Sequence, residues 1–126
     1  MSKKPEDTLS NKLKLQLVSW QLEGFGITGF HVPNEFVPKT NAARAWEAKE
    51  FIGCVKGAPD WVLRCGAGCL TVELKDAKSD AEAWRKCSEE QKEYAMRAWK
   101  AGEEHIVAWN VEAVAEAVRG LGWLGD

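Results

Sequence analysis

The pattern Gly57-Ala58-Pro59-Asp60, twelve further residues, then Glu73-Leu74-Lys75 offers two carboxylates and one amine at a spacing that suits cation-assisted hydrolysis. Residues 61–65 and 69–75 read as two arms of a hairpin joined by Gly66-Ala67-Gly68. Asp60 then begins one arm and Glu73 lies near the end of its antiparallel neighbour, which sets the carboxylates side by side. Glu73 and Lys75 are two apart on a strand, so both leave the same face. Like charges held close raise each other's pKa, and a bound cation is what keeps such a pair ionised. Oxygen ligands of this kind suit Mg²⁺ or Mn²⁺. Read as three residues alone, the pattern fits a turn after Pro59 and a solvated strand end equally well.

The elements that would position these groups follow from periodicity. From Glu6 to Glu23, Leu9, Leu13, Leu17 and Trp20 follow helical spacing, and Leu15, Val18 and Leu22 form a second stripe beside them. Gly24, Gly26 and Gly29 break that helix, and residues 29–32 read as a short strand stopped by Pro33. A second helix is predicted over residues 42–55, ending near Gly57. Residues 76–87 read as a polar stretch, after which Ser88-Glu89-Glu90-Gln91 fits a capping box opening a helix to about Lys100. His105 to Trp109 reads as a central strand, and Asn110 caps a last helix carrying Val111, Val114, Ala115 and Val118. The order is α, β, α, β, β, α, β, α, an α/β class with a mixed sheet in a single domain over residues 1–126.

Bulk properties narrow the function classes. A chain of 126 residues that is 45% hydrophobic and 29% charged can bury one core, so one site is expected. The net charge of −2 supplies no protein-wide positive field, and DNA contact must be local or cation-dependent. Residues 1–7 are polar and residues 9–18 are interrupted by polar groups, which predicts no secretory signal, no membrane span and a cytoplasmic protein. Cysteines 54, 65, 69 and 87 are too few for a secreted disulfide scaffold and lack a zinc-like pair, so free thiols are expected.

The segments His31-Val32-Pro33-Asn34-Glu35, Gly57-Ala58-Pro59-Asp60, Glu73-Leu74-Lys75 and Ser88-Glu89-Glu90-Gln91 occur in the order that resembles the VRR-NUC family of PD-(D/E)xK nucleases. The resemblance spans about Phe30 to Trp109 and is to the small stand-alone, virus-type members. It implies a restriction-endonuclease-like core, a mixed sheet flanked by helices, and divalent-metal-dependent cleavage of DNA phosphodiesters, often at branched structures such as four-way junctions or flaps. On that reading Asp60, Glu73 and the backbone carbonyl of Leu74 hold the metal, with Glu35 assisting directly or through water. Lys75 orients or deprotonates the attacking water. Gln91, which shares a helical face with Tyr94, Ala95 and Ala98, positions Lys75 or the phosphate, or serves only as a cap. The 76–87 stretch is longer than the link such proteins usually have there; its Lys78, Arg85 and Lys86, with Trp84, are substrate-binding candidates, against the reading of a solvated insertion.

His31 and His105 read as structural residues. The resemblance also implies a two-fold homodimer, and the double stripe on the N-terminal helix, within residues 1–24, offers the apolar surface for it. Two competing functions stay open: a catalytically silent nucleic-acid-binding or assembly module with the same fold, and an unrelated α/β domain with a chance motif. The presence of Asp60, Glu73 and Lys75 together favours catalysis, since a retired nuclease usually loses at least one.

Overall fold

The computed structural model describes residues 5–32 and 57–125. The helix expected over 42–55 lies outside the described residues. Helix α1 (Pro5–Leu22) leads into strand β1 (Ile27–His31), followed by β2 (Trp61–Cys65) and β3 (Gly68–Leu74). Two helices, α2 (Asp80–Arg85) and α3 (Glu89–Lys100), then lead to β4 (Glu104–Ala108) and helix α4 (Val111–Gly120). The strands form a mixed four-stranded sheet in the order β1-β2-β3-β4. The first three run antiparallel, and β4 lies parallel to β3. Parallel neighbours need a crossover connection, and α2 with α3 supplies it.

Alternation along the strands divides the sheet into two faces. Leu70, Val72 and Leu74 of β3 join Trp61 and Leu63 of β2 in the main core, under Leu9, Leu13, Leu17 and Trp20 of α1 and Val114 and Val118 of α4. The opposite face of β3 presents Thr71 and Glu73, and β4 adds His105, buried to 5% exposure. Ala83, Cys87, Ala95 and Ala98 are buried on α2, α3 and their junction.

Of the two stripes on α1, only one is covered. Leu9, Leu13, Leu17 and Trp20 are buried, whereas Leu15, Val18 and Leu22 are 70%, 44% and 84% exposed. Gly29 allows the close approach of helix and strand: a Cβ there would stand 2.6 Å from Leu63 Cδ2 and 2.9 Å from Leu17 Cδ1. The indole N–H of Trp61 donates to Ser10 Oγ at 2.8 Å and ties α1 to β2.

Several boundaries differ from the sequence reading. The hairpin loop is Gly66-Ala67, because Gly68 already pairs with Cys65; the positive φ of Gly66 (58°) matches a turn with glycine at its first central position. The 76–87 stretch is not all loop: α2 occupies residues 80–85, with the Ser79 side chain accepting from the Glu82 N–H at 3.1 Å. The indole N–H of Trp109 holds this helix by donating to Asp80 Oδ1 at 2.8 Å. Cys65, Cys69 and Cys87 are free thiols. The capping box at Ser88 and the Asn110 cap form where their sequence patterns place them.

Candidate functional site

Register decides what meets at the end of the central hairpin. Trp61 pairs with Val72, so one step further Asp60 stands opposite Glu73. The Asp60 carboxylate reaches across the gap, where Oδ2 accepts the Leu74 N–H at 2.8 Å, while its own carbonyl accepts the Val32 N–H at 2.8 Å. One carboxylate oxygen is therefore committed to the backbone, and Oδ1 is the oxygen a cation would take. Glu73 pairs with Val107 of β4 and is 3% exposed; a carboxylate that deeply buried is kept there by partners, which it has. Just beyond the strand end, the Lys75 N–H donates to the Ala108 carbonyl at 2.9 Å, which closes the ladder.

A glycine fixes the loop carrying Asp60. At Gly57 φ is 78°, and a Cβ would fall 2.2 Å from the Glu90 carbonyl oxygen and 2.9 Å from the Gln91 nitrogen. The loop thus lies directly on the first turn of α3, a contact only glycine permits. Through it the Gly57–Asp60 segment, the Glu73–Lys75 strand end and the α3 N-terminus come together.

Cys87 marks the same place from the other side. Its thiol is buried and lies 3.4 Å from the Ala83 carbonyl. Burial pushes it up, and the charges of Lys75, Glu73, Lys92 and Asp60 all act on it, the two lysines opposing the rise and the two acids adding to it. Neither Cys87 nor Lys92 stood out in the sequence. Lys92 follows Gln91 on α3, and its ammonium sits 5.9 Å from the Trp84 ring centroid. No motif marks it, and only the fold of α2 against α3 brings it near.

The other predicted site residues are placed unequally. Gln91 completes the capping box: its Oε1 accepts the Ser88 N–H at 2.8 Å and its N–H donates to Ser88 Oγ at 3.1 Å. Its carbonyl oxygen is thus used locally. Lys86 bonds the Asp76 carbonyl and pairs with Glu82 at 3.2 Å, whose carboxyl it lowers. That internal pairing ties it to α2. Lys78 and Arg85 are exposed. Glu35 lies outside the described residues.

His31 packs edge-on against Trp61, with ring centroids 5.7 Å apart. His105 shares a 2.7 Å hydrogen bond between Nδ1 and Thr71 Oγ1, and its ring meets Tyr94 edge-on at 5.3 Å. Burial lowers its pKa to about 4, so it is a neutral packing group at ordinary pH. Tyr94 lies beside it with its phenol pushed up, chiefly by burial.

Asp60, Glu73 and the Leu74 carbonyl are all hard oxygen donors, the kind suited to Mg²⁺ or Mn²⁺. They fit such an ion in chemistry. Among the described residues no group of three or more His, Cys, Asp or Glu could hold a metal. Also among the described residues, no helix is long and apolar enough to cross a membrane. Comparison with known proteins returns no matching family model, curated protein or solved structure.

Proposed function

We propose that this chain is a divalent-metal-dependent nuclease that hydrolyses DNA phosphodiesters, with a restriction-endonuclease-like PD-(D/E)xK core and a preference for branched DNA. The observation that carries the reading is the register that sets Asp60 opposite Glu73 and locks it there through the Leu74 N–H. Asp60 Oδ1, the Glu73 carboxylate and the Leu74 carbonyl would hold Mg²⁺ or Mn²⁺, with Glu35 as a further ligand. The ion, when bound, polarises the phosphate and acidifies water. Lys75, on the same strand end, orients the attacking water and offsets charge gathering on the phosphate. Lys92 adds a second cation on the Cys87 side. Gln91 fixes the first turn of α3 against the Gly57 loop and acts on the site through that contact.

We also propose that the chain forms a two-fold homodimer, a reading supported by the exposed stripe of Leu15, Val18 and Leu22, since exposed apolar surface of this kind usually meets a partner. Light scattering after size exclusion tests it; a mass near 14.0 kDa at micromolar concentration rules the dimer out. The small number of metal-type ligands among the described residues favours a second reading, a nucleic-acid-binding module that keeps the fold without cutting. Cleavage of linear, flap, splayed and four-way DNA with and without Mg²⁺ or Mn²⁺ separates the two. Metal-dependent cutting that disappears in Glu73→Ala and Lys75→Ala supports the nuclease, and binding without cutting supports the module.

A further inference from the structure

Cross-strand register sorts the side chains of β1 and β2 onto two faces. Ile27, Gly29, Trp61 and Leu63 look toward α1: Ile27 and Leu63 are 0% exposed, and a Cβ at Gly29 would meet Leu17. Thr28, Phe30, Val62 and Arg64 therefore leave the sheet on the other face. That is the face on which Glu73 leaves β3, with Asp60 opposite it. Over β4 this face is closed, because α3 lays Tyr94 edge-on against His105 and bonds the His105 carbonyl through the Trp99 indole. Over β1 and β2 it is open: Phe30 is 55% exposed, Thr28 and Arg64 are exposed and Val62 is half-buried.

A free aromatic ring on a sheet, with a guanidinium beside it and no carboxylate among these four side chains, is complementary to an unpaired nucleic-acid strand. A base stacks on the ring, and a phosphate takes the planar guanidinium. Asp60, Val62 and Arg64 follow one another at two-residue steps along one face. Val62, with Phe30 paired beside it, thus stands about 7 Å from the carboxylates and Arg64 about 13 Å. A chain laid along β2 from a phosphate at the carboxylates meets the ring first and the guanidinium next. One phenyl ring and a half-buried valine are too little apolar surface to hold a protein partner. The stripe of Leu15, Val18 and Leu22 lies on α1, across the sheet, so a dimer formed there does not use this face.

We infer that the open half of this face holds an unpaired arm of the substrate as it leaves the carboxylates, with one base on Phe30 and one phosphate on Arg64. The kind of ligand rests on the nuclease reading, but this binding needs no metal. A labelled oligothymidylate titrated in EDTA across a salt series, followed by fluorescence anisotropy and by amide NMR shifts, tests it. Shifts should centre on Thr28, Phe30, Val62 and Arg64 and spare α1. Phe30→Leu, which stays apolar but loses the ring, should bind about tenfold more weakly. Arg64→Gln should bind more weakly and lower the slope of log affinity against log salt by about 0.7, the share of one phosphate on a single strand. Lys12→Gln, the same loss of charge on the exposed side of α1, should change neither, and circular dichroism checks that each variant is folded.

No binding by wild type in EDTA, or wild-type affinity and salt slope in folded Phe30→Leu and Arg64→Gln, overturns the inference. Shifts confined to α1, or equal affinity for blunt duplex, overturn it as well. So do shifts at Phe30 that follow protein concentration instead of oligonucleotide, which give the face to a second copy. The nuclease reading is judged separately. Binding on this face with no metal-dependent cutting of any DNA sinks that reading alone, whereas metal-dependent cutting alongside unchanged binding in both variants sinks the strand-binding face alone.

Discussion

Asp60 has one observed role, as acceptor of the Leu74 N–H, and one proposed role, as a metal ligand, and different substitutions separate them. Asp60→Ala removes the acceptor of the Leu74 N–H, and Leu74 is only 3% exposed, so that donor loses its partner away from water. An orphaned buried donor costs about 1–3 kcal/mol. Asp60→Asn keeps an amide oxygen for the N–H and removes one charge opposite Glu73, so the weaker hydrogen bond and the relieved repulsion offset to within about 1 kcal/mol. At roughly 4 °C per kcal/mol for a domain of this size, Ala should melt about 4–12 °C below wild type and Asn within about 4 °C of it. A metal at a hundred times its Kd adds about 2.7 kcal/mol, roughly 10 °C here, to any form that binds it. Thermal denaturation followed by circular dichroism, in EDTA and in Mn²⁺, gives all the comparisons. Wild type should gain stability from Mn²⁺, both variants should gain none, and cleavage should vanish in both. If Asn gains as much from Mn²⁺ as wild type does, the metal role of Asp60 is refuted; if Ala melts like wild type in EDTA, the structural role is.

Three other outcomes are expected. Gly57→Ala forces a side chain into left-handed backbone at φ 78° and onto the Glu90 carbonyl, so urea denaturation should show a loss of at least about 2 kcal/mol, with cleavage lost as the Asp60 loop shifts. His105 is held neutral, its folded pKa about 4 lying below the ordinary 6.5; its contribution is complete above pH 6.5 and lost as pH falls toward 4. Stability should fall there by up to about 3 kcal/mol, less where water screens the ring, and His105→Gln should flatten that limb of the pH profile. Ser88→Ala opens the capping box and should cost about 0.5–2 kcal/mol, with faster hydrogen exchange confined to the first turn of α3.

What was legible in the sequence was whatever local chemistry specifies. The hairpin could be read because alternation of Trp61, Leu63, Leu70, Val72 and Leu74 and the glycines of its turn agree. Caps at Ser88 and Asn110 could be read because each satisfies backbone donors within its own turn. Helix α2 was passed over although Ser79-x-x-Glu82 is a capping pattern, because six residues carry too little apolar periodicity to register. Gln91 fitted both a cap and a site role, and the pattern could not choose. The stripes of α1 look alike in sequence; which one the sheet and α4 cover depends on packing. Cys87 and Lys92 belong with the site only because α2 turns back on α3, a tertiary fact with no local signature.

The position of the carboxylates follows from how the sheet is paired. β3 has neighbours on both sides, antiparallel β2 and parallel β4, so the backbone of Glu73 is held from two directions. Its alternate residues Leu70, Val72 and Leu74 are pinned in the main core, which leaves Glu73 one orientation, toward α2 and α3. A slip of one residue would carry the carboxylate into the apolar face and Leu74 out of it, so the core enforces the site's register. Asp60 lacks a strand's ladder at its position and substitutes its own carboxylate, bonding the Leu74 N–H where the next backbone carbonyl would have been. Gly57 then fastens the loop to α3 from behind. The groups proposed to work together are thus held by the central strand, by a side chain standing in for backbone, and by a helix start that only glycine can approach. Geometry of that kind is what a site needs if its ligands are to be positioned before the ion and the substrate arrive.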